Sequence, residues 1–206
     1  MEPQSFLPDN EKLVVDTSSV ISLNATERAR EILDALPYRV VVVDAVVGEL
    51  EYGKAKGRRD ATMLAELVKD GVVMLARLGA VGLPHFETLV VGSSADTLDD
   101  GEAATIAYAI EASACAIIDE KKATRLCSTR FPKIRLGCTL DLLSHVAVRQ
   151  ALGLPRLADA VYEALFTARM RVPSHYMGWV VHLIGNERAA KCPCLPESVR
   201  KFARNA

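Results

Sequence analysis

Four acids carry the chemistry this sequence can offer: Asp16, Glu49, Glu102 and Asp119, with Asp99, Asp100 and Glu120 as neighbours. Asp16 closes the short apolar run 12–15, Asp44 closes the β-branched run 39–43, and Asp119 closes the apolar run 115–118. Carboxylates crowded into one cleft repel each other unless a cation neutralises them. Hard divalent cations such as Mg²⁺ take oxygen ligands, one or two of them carboxylates. With two cations about 3.5–4 Å apart, such a site stabilises both the attacking and the leaving oxygen in phosphodiester cleavage. Each acid taken singly also has a plainer reading. Asp is a favoured cap where a strand passes into a helix, and Asp99 with Glu102 has the spacing of a capping box. Glu49 lies inside a helical stretch, where no cap needs it and a solvated face is its ordinary place. The chemical reading therefore rests on the joint pattern.

Other chemistries find less support. Ser18 and Ser19 follow Asp16, but the four His are scattered and none is close in sequence. Neither glycine-rich phosphate loop, G-x-G-x-x-G or G-x-x-x-x-G-K-[ST], occurs, which argues against a nucleotide-binding or phosphatase-like domain. Cys192-Pro-Cys194 lacks the second ligand pair that a structural zinc site needs.

The elements that must position the acids alternate between strand and helix. The stretch 98–120, LDDGEAATIAYAIEASACAIIDE, reads as an alanine-rich helix feeding a buried strand. Strands are expected at 12–15, 39–43, 72–76, 115–118 and 134–136. A helix is expected to begin at 20–23, with further helical segments at 26–36, 45–52, 61–69, 99–110, 120–129 and 139–151, the last closed by Gly153. The Gly- and Ser-rich stretch 77–97 reads as a long loop with at most a short edge element. This alternation implies a three-layer α/β/α fold around a mainly parallel sheet of four or five strands. Ligands of such sheets sit outside the carboxyl ends of the strands, so acids at strand ends tend to share one rim. We read residues 1–11 as a leader, 12–153 as the α/β domain, and 154–206 as a helical extension packed on it, broken by Pro173 and Pro193.

Half of the 206 residues are apolar and a quarter are charged, enough to bury an ordinary core. The net charge of −1 argues against a broad basic surface, so any nucleic-acid contact must be local. The five cysteines, an odd number, and a polar start suggest free thiols in a reducing cytoplasm. No apolar run approaches the ~20 residues of a membrane span.

Four segments, in order and at matching gaps, resemble the PIN-domain nucleases. LVVDTSSVISL at 13–23 is similar to the family's strand, Asp and Thr/Ser motif, and VVGELEYG at 46–53 to its helical-Glu motif. LDDGEAATIAYA at 98–109 resembles the subgroup in which Gly-Glu-Ala opens a helix, and AIIDEKKATRLC at 116–127 an acid pair before a basic helix. The resemblance spans about residues 12 to 150. It implies an endoribonuclease using Mg²⁺ or Mn²⁺, with Asp16, Glu49, Glu102 and Asp119 as metal-binding catalytic acids. Glu120 would assist or replace Asp119, and Thr17 or Ser18 would orient Asp16 or the attacking water. Lys54, Lys56, Arg58 and Arg59, with Lys121, Lys122 and Arg125, are the candidate RNA-backbone contacts, a solvated surface being their plainer reading. Tyr52 is the candidate for stacking on a base, although packing is its commoner use. Many relatives are toxins blocked by a small antitoxin protein, and many form homodimers, so both partners are implied here. The chain departs from the pattern at Asp44, where relatives often carry an uncharged residue, and in its longer tail. The competing function is a non-catalytic scaffold that keeps the fold and binds partners through its sheet edge.

Overall fold

A computed structural model describes residues 12–54 and 56–205; the leader expected at 1–11 and position 55 of the basic loop lie outside them. In chain order the elements are β1 (Lys12–Val15), α1 (Thr17–Ala25), α2 (Ala29–Ala35), β2 (Arg39–Val43), α3 (Asp44–Lys54) and α4 (Asp60–Lys69). Next come β3 (Val73–Ala76), α5 (Gly82–Val90), α6 (Asp100–Glu111), β4 (Cys115–Ile117), α7 (Lys121–Arg130) and β5 (Arg135–Gly137). Then follow α8 (Thr139–Leu143), α9 (Val146–Phe166), a 3₁₀ turn (Ser174–Tyr176), α10 (Met177–Ile184), α11 (Asn186–Lys191) and α12 (Glu197–Asn205). The fold is α/β. The strands form one five-stranded sheet in the order β3-β2-β1-β4-β5, with every pair parallel.

The chain divides into two compact units, the first comprising 12–20 and Pro37–Cys138 of the described residues. Its sheet is built from β-branched and small apolar runs, LVV in β1, VVVV in β2 and CAI in β4, which are buried on both faces. Val14, Val43, Ala116 and Ile118 pack with Ala103, Ala104 and Ile106 of α6 and with Leu126 of α7. The alanines let α6 lie close against β1, β2 and β4, which fixes the register of its amino end relative to the strand ends.

The stretch 77–97, expected as a loop, contains the nine-residue helix α5. Leu83, Phe86, Leu89 and Val90 recur at helical spacing, and Leu89 is fully buried against the α6 side of the core. Pro84 lies in the first turn, where a missing N–H costs nothing. The Glu111 carboxylate completes this start by accepting from the Gly79 N–H at 2.9 Å and the Gly82 N–H at 2.8 Å. Glycines obscured the pattern in the sequence, yet here they let the backbone approach a carboxylate from a neighbouring helix.

The second unit comprises Ile21–Leu36 and residues 139–205. Its centre is α9, against which α2, α8 and α10 pack. The single helix expected over 139–151 is two, because the chain turns at Ser144 and His145. There the buried Tyr176 hydroxyl donates to Asp141 at 2.7 Å and lies 3.2 Å from the Ser144 hydroxyl, while the His145 ring accepts from the Ala147 N–H. Gly153 does break the helical path, with φ 70 and ψ 161, before Pro155 restarts it. Arg156 spans this break, donating to the Ala151 and Leu152 carbonyls and to Glu31 at 2.5 Å. The tail has more helical pieces than the two or three expected, since α10, α11 and α12 follow the second half of α9. All five cysteines are free thiols; Cys192 is buried, and the Cys194 thiol donates to the Leu165 carbonyl. No described helix is long and apolar enough to cross a membrane.

Candidate active site

The amino ends of α1 and α6 and the carboxyl ends of β1 and β4 lie together in the first unit. Asp16 follows β1 directly, and its N–H donates to the Ile117 carbonyl of β4 at 3.1 Å. That bond continues the parallel ladder by one residue and sets Asp16 beside the segment carrying Asp119. Both acids are buried. The Asp16 carboxylate accepts from the Ser19 N–H at 2.7 Å and from the Ser18 hydroxyl at 2.9 and 3.1 Å. The first of these is a helix-capping bond, so Asp16 caps α1 and remains part of the acidic group at once.

Glu49 does not sit on a solvated face. Its two oxygens face the neighbouring segments: Thr17 Oγ1 donates to Oε2, and the Gly101 N–H donates to Oε1 at 2.7 Å. One side chain on α3 thereby ties the start of α1 to the start of α6. Gly101 permits this approach. A Cβ added there would fall 2.5 Å from Thr17 Oγ1 and overlap the Glu49 carboxylate. Gly101 and Ser19 were not among the residues expected from the sequence. The glycine immediately before Glu102 was the visible signal for the first; nothing local marked the second.

Glu102, one residue further on, is half-buried. Burial raises its carboxyl to about 7, and the charges of Asp16, Glu120 and Asp99 push the same way, against the Asp99 N–H that donates to it. Asp16 is raised to about 7 as well, first by burial and then by the charge of Asp119, against the bonds from Ser18 and Ser19. Asp16 therefore feels the charge of Asp119, and Glu102 that of Asp16 and Glu120, while Glu49 is tied by hydrogen bonds to Thr17 and Gly101.

The capping box expected at Asp99 and Glu102 is only half made. Glu102 accepts from the Asp99 N–H, but the Asp99 side chain makes no capping bond. Asp119 is not the cap of α7; Glu120 is, with its side chain accepting from the Lys121 N–H at 3.0 Å. The capping explanation thus covers Asp16 and Glu120.

The donor set suits a hard cation, being all oxygen and carrying two carboxyls that burial and like charge hold partly protonated near neutral pH. As the side chains stand, no three acids, His or Cys among the described residues close around a single ion. Both Glu49 oxygens are already engaged.

The expected RNA contacts lie on the surface of the same unit. Lys54 pairs with Glu51, Arg58 with Asp60 at 3.9 Å, and Lys56 lies 4.4 Å over the Tyr52 ring. Lys122 donates to the Ser94 carbonyl at 2.6 Å, while Lys121 and Arg125 are exposed.

The family model described as DUF3368, a PIN domain, matches residues 12–186. The chain belongs to this PIN-domain family. PIN domains are in general nucleases, and the parallel α/β sheet agrees with that fold. No curated protein and no solved structure matches the chain significantly.

Proposed function

We propose that this PIN domain is a metal-dependent endoribonuclease whose site is formed by Asp16, Glu49, Glu102 and Asp119, with Glu120 assisting. The observation that carries this reading is the buried Asp16 set beside Asp119 at the carboxyl ends of β1 and β4, with Glu102 in the first turn of α6, where burial and like charge raise the Asp16 and Glu102 carboxyls. Perturbed groups of this kind gather at functional sites. Asp16, Glu102 and Asp119 would hold Mg²⁺ or Mn²⁺, which would supply the charge to activate a water and offset the leaving oxygen. Ser18 and the Ser19 N–H hold the Asp16 carboxylate in place, and Thr17 with the Gly101 N–H holds Glu49. Burial and like charge raise the Asp16 and Glu102 carboxyls to about 7, so a bound cation would favour their ionised forms. Lys54, Arg58, Lys122 and Arg125 are the candidates for holding the RNA backbone near this site.

The further reading is of a toxin-type member of the Gly-Glu-Ala subgroup, held inactive by a small antitoxin and working as a cytoplasmic homodimer. Co-expression with the product of an adjacent small reading frame tests it; growth arrest by this chain alone, relieved by the partner, supports it. The experiment for the chemistry is cleavage of single-stranded RNA in Mg²⁺ or Mn²⁺ by the parent and by Asp16→Asn. Equal cutting by both would end the proposal. One observation favours the non-catalytic alternative: both Glu49 oxygens serve hydrogen bonds between helices. Calorimetry that detects no divalent-cation binding would decide for that scaffold.

A further inference from the structure

The carboxyl-terminal forty residues, 167–206, hold seven Lys and Arg against two acids, a net +5 in a chain whose total is −1. This asymmetry surrounds an aromatic column inside the second unit. The Arg188 guanidinium lies 5.1 Å over the Tyr162 ring, and Tyr162 stacks on Phe166 with centroids 5.5 Å apart and planes 21° from parallel. Asp159 anchors Arg188 at 2.7 Å, so one end of the column is held. The other end, Phe166, is 48% exposed. Phe166 and Tyr162 line a groove of about 840 Å³ that Lys191, Arg200 and Arg204 also line. Glu187 is the one acid in its wall, and it is already paired with Lys191 at 2.7 Å.

We propose that this groove is a binding surface for single-stranded RNA, separate from the acidic site, in which a base continues the stack from Phe166 and the cations take the phosphates. The inference rests on the reading that the chain acts on RNA. Stacking on an exposed ring beside a cationic groove is how single strands are bound without regard to sequence. A second copy of this chain fits the surface poorly, because a two-fold contact would set the same cations against each other. An acidic peptide would satisfy the charge but would leave the open ring column without a planar partner.

The test is fluorescence anisotropy of a labelled oligouridylate of about ten nucleotides, titrated with the full chain in EDTA so that nothing is cut. Phe166→Ala is expected to weaken binding about 5- to 160-fold, the range that stacking on one base implies. Arg204→Gln is expected to reduce the slope of log affinity against log salt by about 0.7. Both residues are exposed, and circular dichroism checks that the variants fold; Arg204→Gln carries the test alone if Phe166→Ala does not fold. Unchanged affinity and slope overturn the proposal. So does a labelled polyglutamate peptide whose binding falls in these variants while oligouridylate binding is unaffected. If the parent cleaves RNA and the variants bind as it does, this inference fails and the ribonuclease reading stands. If the variants lose binding while the parent cuts nothing in Mn²⁺, the groove stands and the ribonuclease reading fails.

Discussion

Replacing Asp16 by Asn should stabilise the metal-free protein, increasingly so as pH rises from about 4 to about 7. Asp16 is fully buried, and its carboxyl is raised from 3.8 to about 7 by burial and by Asp119. Each pKa unit corresponds to about 1.4 kcal/mol, so holding Asp16 ionised at pH 8 costs the fold on the order of 4 kcal/mol. The unfolded chain loses this proton near pH 4, and the folded one keeps it until about 7. Between those values the folded state binds more protons, so stability falls as pH rises through that window and levels off above it. Asn removes the charge but keeps an acceptor for the Ser19 N–H at 2.7 Å. Weakening the charge-assisted bonds from Ser18 and Ser19 gives back about 1 kcal/mol. The net gain at pH 8 is therefore about 2–3 kcal/mol, nearly vanishing at pH 5. For a chain of this size that is a rise in Tm of about 5–10 °C. Thermal melts by circular dichroism in EDTA at pH 5 and pH 8 read it directly. Adding Mn²⁺ at 100 times its Kd should raise parent stability by about 2.7 kcal/mol and leave the variant nearly unmoved. If Asp16 serves only as a helix cap, Asn replaces it equally well and the two melts differ by the same amount at pH 5 and pH 8; that result would refute the reasoning.

Gly101→Ala should lower RNA cleavage at least tenfold and stability by about 1–3 kcal/mol, because the new methyl overlaps Glu49 and crowds Thr17. The sign is informative, since Ala for Gly in an unobstructed helix would add about 1 kcal/mol; chemical denaturation and a cleavage assay give both numbers. Thr17→Val removes the hydroxyl that donates to Glu49 and should reduce cleavage while shifting the denaturation midpoint by no more than about 1 kcal/mol. Gly153→Ala should cost about 1–3 kcal/mol by denaturant titration, because φ 70 with ψ 161 is a backbone region that side chains avoid, and it should leave divalent-cation binding intact.

The sequence by itself carried the alternation of strand and helix, because runs such as Val40 to Val43 and Cys115 to Ile118 are too apolar and too short for anything but buried strands. It also placed Asp16 and Asp119 at strand ends, a consequence of parallel topology that needs no coordinates. The helix α5 stayed hidden because its start depends on Glu111, twenty-nine residues beyond Gly82. The break at Ser144 depends in the same way on the distant Tyr176 hydroxyl. Which acids cap and which confront one another was decided only in three dimensions. Capping depends on a backbone N–H close in sequence, whereas the raised carboxyls of Asp16 and Glu102 come from burial and from charges brought in by other elements. Glu49 makes the same point: its neighbours in the chain suggest a solvated helix face, and its partners Thr17 and Gly101 lie 32 and 52 residues away.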